Sequence, residues 1–190
     1  MRCLVLDNYD SFTYNLGHLV KSNFCGEVDV FRNDQITLDA VAKYDRILLS
    51  PGPGVPHEAN MLKPIIERYA SKKSILGICL GHQAIAEVFG AGIFNSKKVY
   101  HGVCSQINIT VCDEILFRGL PTEIKVGRYH SWLVSPCEFP DNMEVIATTQ
   151  EGDIMALRHK EYKVKGFQFH PESILTDYGG RMIKNWIELG

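Results

Sequence analysis

Short apolar runs divide the first half of the chain, and stretches with helical spacing lie between them. Each run ends at a polar residue or a Gly/Pro break, and the four runs are Cys3–Leu6, Val28–Phe31, Arg46–Ser50 and Ser74–Ile78. Continuous apolar runs of this length are typical of strands buried on both faces of a parallel sheet. The segments between them predict helices, the first with Ser11 as its N-cap, over Phe12–Val20, Leu38–Tyr44 and Leu62–Tyr69. This alternation predicts βαβ units on an open sheet.

The second half of the chain predicts shorter strands separated by turns, such as Glu151-Gly152-Asp153. A helix over Tyr178–Leu189 follows the strands Val99–Tyr100, Gln106–Val111, Ile124–Arg128, Glu144–Thr149, Ile154–His159 and Val164–Phe169. Since no repeat or linker interrupts the chain, we expect residues 1–190 to form a single α/β domain. Its open, mostly parallel central sheet would be flanked by helices and carry a smaller antiparallel extension. Ligands bind such sheets at the carboxyl ends of the strands, which directs attention to Ser50 and Ile78.

Composition narrows the class of protein without fixing its function. The 190 residues are 45% hydrophobic, and 20 Lys+Arg against 22 Asp+Glu give a formal net charge of −2. That balance argues against a nucleic-acid partner or an anionic membrane. No apolar run is long enough to span a membrane, and Asp7 comes too early for a signal-peptide core, so we expect a cytoplasmic protein. Both an enzyme and a binding module fit these properties.

The six cysteines and seven histidines do not form a metal-binding pattern. No C-x-x-C occurs, and without an export signal free thiols are expected. His57-Glu58 lacks the second histidine of a zincin motif, so we predict no metal site.

One cysteine stands in a distinctive context. Gly77-Ile78-Cys79-Leu80-Gly81 lies between a predicted strand and an apolar helical stretch, Ala84–Phe89. This is the thiol version of a nucleophile elbow, in which flanking glycines allow a sharp turn that lifts the middle side chain off the sheet. The helix N-terminus favours the thiolate form of Cys79, and the Leu80 N–H would face a developing oxyanion. The other five cysteines are interpreted as packing residues.

A thiol nucleophile needs a base, and His170 is the best placed histidine. It ends the apolar run Gly166–Phe169, where a strand would deliver its side chain to the crevice. Pro171 biases His170 toward an extended conformation, and the Glu172 carboxylate can then fold back to accept the other imidazole N–H. On spacing alone, a structural role for this pair stays open. The other histidines favour surface or structural roles.

The loop Ser50-Pro51-Gly52-Pro53-Gly54-Val55-Pro56 follows another predicted strand end. Alternating Pro and Gly make it stiff, with two positions free for a positive φ or a close backbone approach. One exposed N–H from this loop, added to that of Leu80, would complete an oxyanion hole. An ordinary tight turn is the alternative, and the loop lacks the Lys and Ser/Thr of a P-loop.

Together these segments resemble the class I glutamine amidotransferase family, the triad glutaminases. The resemblance covers nearly the whole chain and rests on Gly77–Gln83 and His170–Ser173. Within the family, Asp7–Leu16, the Ser50–Pro56 loop and Gly127–Ser131 resemble the glutaminase subunits of anthranilate synthase and aminodeoxychorismate synthase.

The resemblance implies hydrolysis of L-glutamine by Cys79 as nucleophile, with His170 and Glu172 completing the triad. It implies no metal or organic cofactor, and it implies a separate chorismate-using synthase subunit that receives the ammonia. The resemblance also implies the substrate contacts. The substrate carbonyl would be lined by the Leu80 N–H and by Gly52, Pro53 and Gly54. The amino and carboxylate ends of glutamine would be held by Gln83 and the Ser131-Trp132 backbone. Position 132 is Trp where many relatives have Leu, which a main-chain contact would tolerate.

Two other classes of function stay open. The first is a stand-alone thiol hydrolase of γ-glutamyl or peptide bonds, and the segments Asp7–Leu16 and Ser50–Pro56 argue against it. The second is a non-catalytic regulatory partner of a synthase, and the intact Cys79, His170 and Glu172 argue against it. The sequence does not separate anthranilate from 4-aminobenzoate synthesis.

Overall fold

The computed structural model describes residues 1–190 and contains eleven strands and five α-helices. The strands are β1 (Arg2–Asp7), β2 (Glu27–Arg32), β3 (Arg46–Leu49), β4 (Ser74–Ile78), β5 (Ile93–Asn95), β6 (Val103–Ile109), β7 (Glu123–Arg128), β8 (Trp132–Val134), β9 (Met143–Thr149), β10 (Ile154–His159) and β11 (Val164–Phe167). The helices are α1 (Thr13–Asn23), α2 (Leu38–Val41), α3 (Leu62–Tyr69), α4 (Leu80–Val88) and α5 (Gly179–Leu189). None of these helices is long and apolar enough to cross a membrane.

A nine-stranded sheet runs through the molecule in the order β2-β1-β3-β4-β11-β10-β9-β6-β7. The pairs from β2 to β11 are parallel, and the pairs from β11 to β7 are antiparallel. A separate antiparallel pair joins β5 to β8. The predicted fold class, one α/β domain with a parallel centre and an antiparallel extension, is therefore confirmed. Most of the extension continues the central sheet itself.

Alternate residues of each central strand face opposite layers of helices. On β1, Cys3 and Val5 lie in a core with apolar residues of α1 and α5, such as Trp186. Leu4 and Leu6 lie in a second core with residues of α2, α3 and α4. Because both faces are covered, the central strands are apolar throughout, which explains the continuous runs in the sequence.

Two local predictions are wrong, and two strands were missed. Val99–Tyr100 is not a strand; the Tyr100 ring lies against the Arg128 guanidinium, whose central carbon is 3.5 Å from the ring centre. The short strands β5 and β8 were not predicted, since three residues carry too little periodicity. Ser11 is not the N-cap of α1, because the helix is capped at Phe12, whose N–H donates to the Asp10 carboxylate at 2.8 Å.

The carboxyl ends of β1, β3, β4 and β11 meet at one edge of the sheet, as parallel pairing requires. The residues that follow these strands are therefore neighbours in space. Asn8 follows β1, Ser50 follows β3, Cys79 follows β4, and Gln168 to His170 follow β11.

Candidate active site

Cys79 occupies a strained turn between β4 and α4. Its backbone has φ 51° and ψ −98°, and it stands at the N-cap of α4. A non-glycine residue in such a conformation costs on the order of 1–3 kcal/mol and persists only where the surroundings enforce it. Here the flanking glycines allow close packing, since a Cβ on Gly77 would lie 2.4 Å from the Gly81 carbonyl carbon. A Cβ on Gly81 would lie 2.6 Å from the Leu49 oxygen. Thus both glycines of the motif are sterically required.

His170 and Glu172 form a buried pair beside this turn. The His170 Nδ1 lies 2.7 Å from Glu172 Oε1, and both side chains are almost fully buried. The rings of Phe12 and Tyr129 pack edge-on against the imidazole, with centres 5.7 and 4.9 Å away. These contacts fix the plane of the imidazole ring.

The environment favours the charged form of His170. Burial is the largest influence and opposes that form, but the neighbouring Cys79 and Glu172 together outweigh it and raise the pKa of His170 to about 10. The Nε2 atom is buried and makes no hydrogen bond of ordinary geometry within the protein. A proton on this nitrogen therefore lies on the Cys79 side of the imidazole, from which it can pass to a reacting group.

The loop between β3 and α3 approaches the elbow from the other side. A Cβ on Gly52 would lie 2.7 Å from both the Asn8 carbonyl oxygen and Leu80 Cδ2, so only glycine fits there. Gly54 has φ 72°, and Pro53 and Gly54 are exposed to solvent. The tip of the loop therefore has few packing restraints.

A chain of three side-chain amides, of which Asn8 and Asn33 are buried, holds the base of this loop. The Asn8 side chain donates to the Ser50 carbonyl at 2.8 Å, Asn33 donates to Asn8 at 3.0 Å, and Asn60 donates to Asn33 at 3.0 Å. These amide contacts were not predicted, although Asn8 lies within the family-like segment Asp7–Leu16. The Asn33 and Asn60 positions carry no sequence signal that would have found them.

A pocket of about 230 Å³ opens between the loop and the elbow. It is lined by residues from four segments of the chain: Gly52, Pro53, Gly54, Cys79, Gln83, Val99, Tyr100, His101, Tyr129, His130, Ser131 and Trp132. Seven of these were predicted as site residues. Three other predicted residues, Leu80, His170 and Glu172, lie behind this surface and are buried or nearly so.

The aromatic and imidazole residues of the wall were not predicted as site residues. Tyr129 and His130 lie in the Gly127–Ser131 segment, so the resemblance could have suggested them. The segment Val99–His101 was predicted as a strand in part and carried no functional signal.

The pocket lining contains no permanently charged side chain. Asp, Glu, Lys and Arg are absent from the lining, and burial followed by the nearby Arg128 lowers the pKa of His130 to about 3. The Gln83 side chain donates through Nε2 to the Trp132 carbonyl at 3.0 Å and to Gln168 Oε1 at 3.3 Å. Its own Oε1 makes no hydrogen bond within the protein and stays an available acceptor. No group of three or more His, Cys, Asp or Glu side chains is arranged to hold a metal ion.

Comparison with known proteins identifies the family of the chain. The family model for class-I glutamine amidotransferases matches residues 4–189, and the chain belongs to that family.

Among sequence relatives, the Bacillus subtilis aminodeoxychorismate/anthranilate synthase component 2 is 43% identical over 187 residues. That match covers 97% of this chain and 95% of the relative. The multifunctional tryptophan biosynthesis protein of Phycomyces blakesleeanus is 45% identical over 192 residues, and the match covers all of this chain but only 25% of that protein. A Thermoplasma acidophilum crystal structure, whose assignment to a GMP synthase is provisional, superposes with a TM-score of 0.86 at 28% identity. It covers 98% of this chain and 92% of the other.

Proposed function

We propose that this chain is a glutaminase subunit that hydrolyses the side-chain amide of L-glutamine and passes ammonia to a separate, chorismate-using synthase subunit. We take residues 1–190 as one amidotransferase domain. The observation that carries the proposal is the buried contact of 2.7 Å between His170 Nδ1 and Glu172 Oε1. This pair lies beside the strained turn at Cys79, and Cys79 lines the pocket.

The reaction begins with attack of the Cys79 thiolate on the amide carbon. The N–H groups of Gly54 and Leu80 stabilise the oxyanion, and each such donor contributes roughly 3–4 kcal/mol in related chemistry. His170, held protonated by its neighbours, gives its Nε2 proton to the departing ammonia. Water then hydrolyses the thioester while His170 acts as the base. Glu172 orients the imidazole and stabilises its charged form.

The substrate ends are assigned from the polar atoms that stay available. Gln83 Oε1 would accept from the substrate ammonium group, since both hydrogens of its amide are engaged elsewhere. The carbonyl oxygens of Ser131 and Trp132 accept from Ser96 and Gln83, so we assign backbone N–H donors of this segment to the substrate carboxylate. This contact does not use the indole of Trp132. A lining without Asp, Glu, Lys or Arg suits a ligand whose two opposite charges cancel.

The partner is assigned from the relatives and from the chemistry of ammonia. Most ammonia released into water near pH 7 would be protonated and no longer nucleophilic, so its consumer has to be nearby. The Bacillus relative is named as component 2 of both aminodeoxychorismate and anthranilate synthase and has almost the same length. We therefore propose that one chain serves one or both of these syntheses.

The test separates glutamine chemistry from ammonia use. In the reconstituted complex, Cys79→Ser should abolish synthesis from glutamine and leave synthesis from ammonium salts intact. Cys25→Ser, at an exposed cysteine away from the pocket, is the matched control and should leave both activities unchanged. Glutamine-dependent synthesis by the Cys79→Ser complex would reject the proposed nucleophile.

A further inference from the structure

A fully buried glutamine side chain touches the sulfur of Cys79. Gln168 follows β11 and has no exposed surface, and its Nε2 lies 3.7 Å from the Cys79 Sγ. Its neighbours Phe167 and Phe169 point into the apolar core, which leaves Gln168 on the opposite side of the strand, next to Gln83 of α4. The mechanism above does not use this contact.

The hydrogen-bond directions in the surrounding network can be assigned from groups that act only as donors or only as acceptors. The Arg128 Nε can only donate, and it lies 3.2 Å from the His130 Nε2, which must accept. Neutral His130 therefore carries its proton on Nδ1 and donates to the Trp132 carbonyl at 3.0 Å. Burial and Arg128 keep His130 neutral, in agreement with this tautomer.

The same carbonyl fixes both glutamine amides. Because the Trp132 oxygen only accepts, the Gln83 NH₂ group must face it, and its second hydrogen is then directed to the Gln168 oxygen at 3.3 Å. The Gln168 NH₂ group is thereby turned toward the sulfur. The direction of this last bond thus follows from a chain of obligatory donors and acceptors whose glutamine, histidine and arginine side chains are all buried.

We propose that Gln168 is a positioning residue that donates a hydrogen bond to the Cys79 sulfur and stabilises the thiolate, with its orientation set through Gln83 by the Trp132 carbonyl. A charged acceptor binds an N–H donor more strongly than a neutral one, so the bond favours thiolate over thiol. Its value for catalysis rests on the proposed function, in which that thiolate is the nucleophile.

The test replaces the donor by a side chain of similar shape. In Gln168→Met, the pH midpoint for alkylation of Cys79 by iodoacetamide should rise by about one unit, since the thiolate loses a donor. Because four other cysteines are exposed, the Cys79 peptide is followed by mass spectrometry. Alkylation requires no glutamine, so this measurement is independent of glutaminase activity. An unchanged midpoint in a folded Gln168→Met protein would overturn the proposal.

Asn185→Leu is the control for loss of a buried amide. Asn185 lies on α5 and donates to the Leu116 and Arg118 carbonyls, away from the pocket. It should lower the unfolding temperature without moving the alkylation midpoint of Cys79. An equal shift of the midpoint in both variants would show a general packing effect and would also overturn the proposal.

A measurement on the unmodified chain covers the case in which Gln168→Met does not fold. With ¹⁵N in the glutamine side chains, the Gln168 amide proton should shift with the same pH midpoint as Cys79 alkylation. A Gln168 resonance that does not titrate would refute the hydrogen bond. The result also stays distinct from the failure of the proposed function: a titrating Gln168 together with glutamine-dependent synthesis by Cys79→Ser would leave the hydrogen bond intact and reject only the nucleophile.

Discussion

The two walls of the pocket differ in how firmly they are held. On the elbow side, Cys79, Gln168 and His170 are buried and linked to neighbours on several elements. On the loop side, Pro53 and Gly54 are exposed, and the amide chain from Asn8 fixes only the base of the loop. The proposed nucleophile is therefore held in place within the chain itself, whereas the proposed oxyanion donor lies on an exposed loop tip.

Backbone contacts explain the rigidity of the elbow. The Cys79 N–H donates to the Phe167 carbonyl at 2.7 Å, and Gly77 and Gly81 are in direct contact. Such an arrangement enforces an unfavourable φ without requiring a partner. In the loop, by contrast, Gly54 adopts a positive φ that glycine accepts without strain.

The largest expected effect on the reaction rate comes from a substitution on the elbow side of the pocket. Glu172→Gln should lower the rate of thioester formation by about 10³–10⁴, because the amide keeps the shape but cannot support the charged imidazole. Affinity for glutamine should change little, and single-turnover kinetics separates the two. Glu188→Gln, at an exposed carboxylate of α5, is the control. Near-normal turnover in Glu172→Gln would make Glu172 a structural acid.

A smaller effect on turnover is expected from a substitution on the loop side of the pocket. In Gly52→Ala, the added Cβ would clash with the Asn8 backbone and Leu80, so the loop has to shift and the oxyanion loses a donor. Turnover should fall by about 10²–10³, while iodoacetamide alkylation of Cys79 stays normal. Gly180→Ala, where the nearest atom is 3.9 Å away, should leave both unchanged. Slowed alkylation in Gly52→Ala would mean that the two walls are coupled.

The elbow side of the pocket was also easier to predict from the sequence than the loop side. The glycines around Cys79 and the proline after His170 impose backbone geometry locally, so a single sequence records them. The hydrogen bonds of Gln168 and Asn33 were not predicted, because each residue is a single amide with no local sequence pattern around it. They act only after distant segments meet at the sheet edge. The parallel strands were predictable since both of their faces are buried, whereas the three-residue strands β5 and β8 were not.

The exposed tip of the loop suggests a site where the proposed partner subunit could control the reaction. The isolated chain should hydrolyse glutamine slowly, and the synthase subunit with chorismate should raise the rate by about 10²-fold if it favours the loop conformation that presents the N–H. Steady-state glutaminase activity with and without the partner measures this. Equal rates would favour a stand-alone hydrolase and would remove the functional difference between the two walls.

The smallest expected effect concerns acid stability and again involves only the rigid wall. His82 lies on α4, directly under the elbow; it is fully buried, and neither ring nitrogen has a hydrogen-bond partner within ordinary limits. Burial is the main reason that its pKa falls from 6.5 to about 3. The folded protein therefore keeps His82 neutral while the unfolded chain takes up a proton below about pH 6.5. The stability associated with neutral His82 is present above that pH and is lost as the pH falls toward 3.

A non-titrating residue should remove this dependence. As the pH falls from 6 to 4, the parent should lose about 1.4 kcal/mol of unfolding free energy per pH unit relative to His82→Leu, because only the parent has this titrating group. Urea unfolding at several pH values measures the difference, and His18→Leu, at an exposed histidine of α1, should give a curve parallel to the parent. Parallel curves for His82→Leu and the parent would mean that water or a polar neighbour reaches this imidazole. The elbow side of the pocket would then be less rigid than its packing indicates.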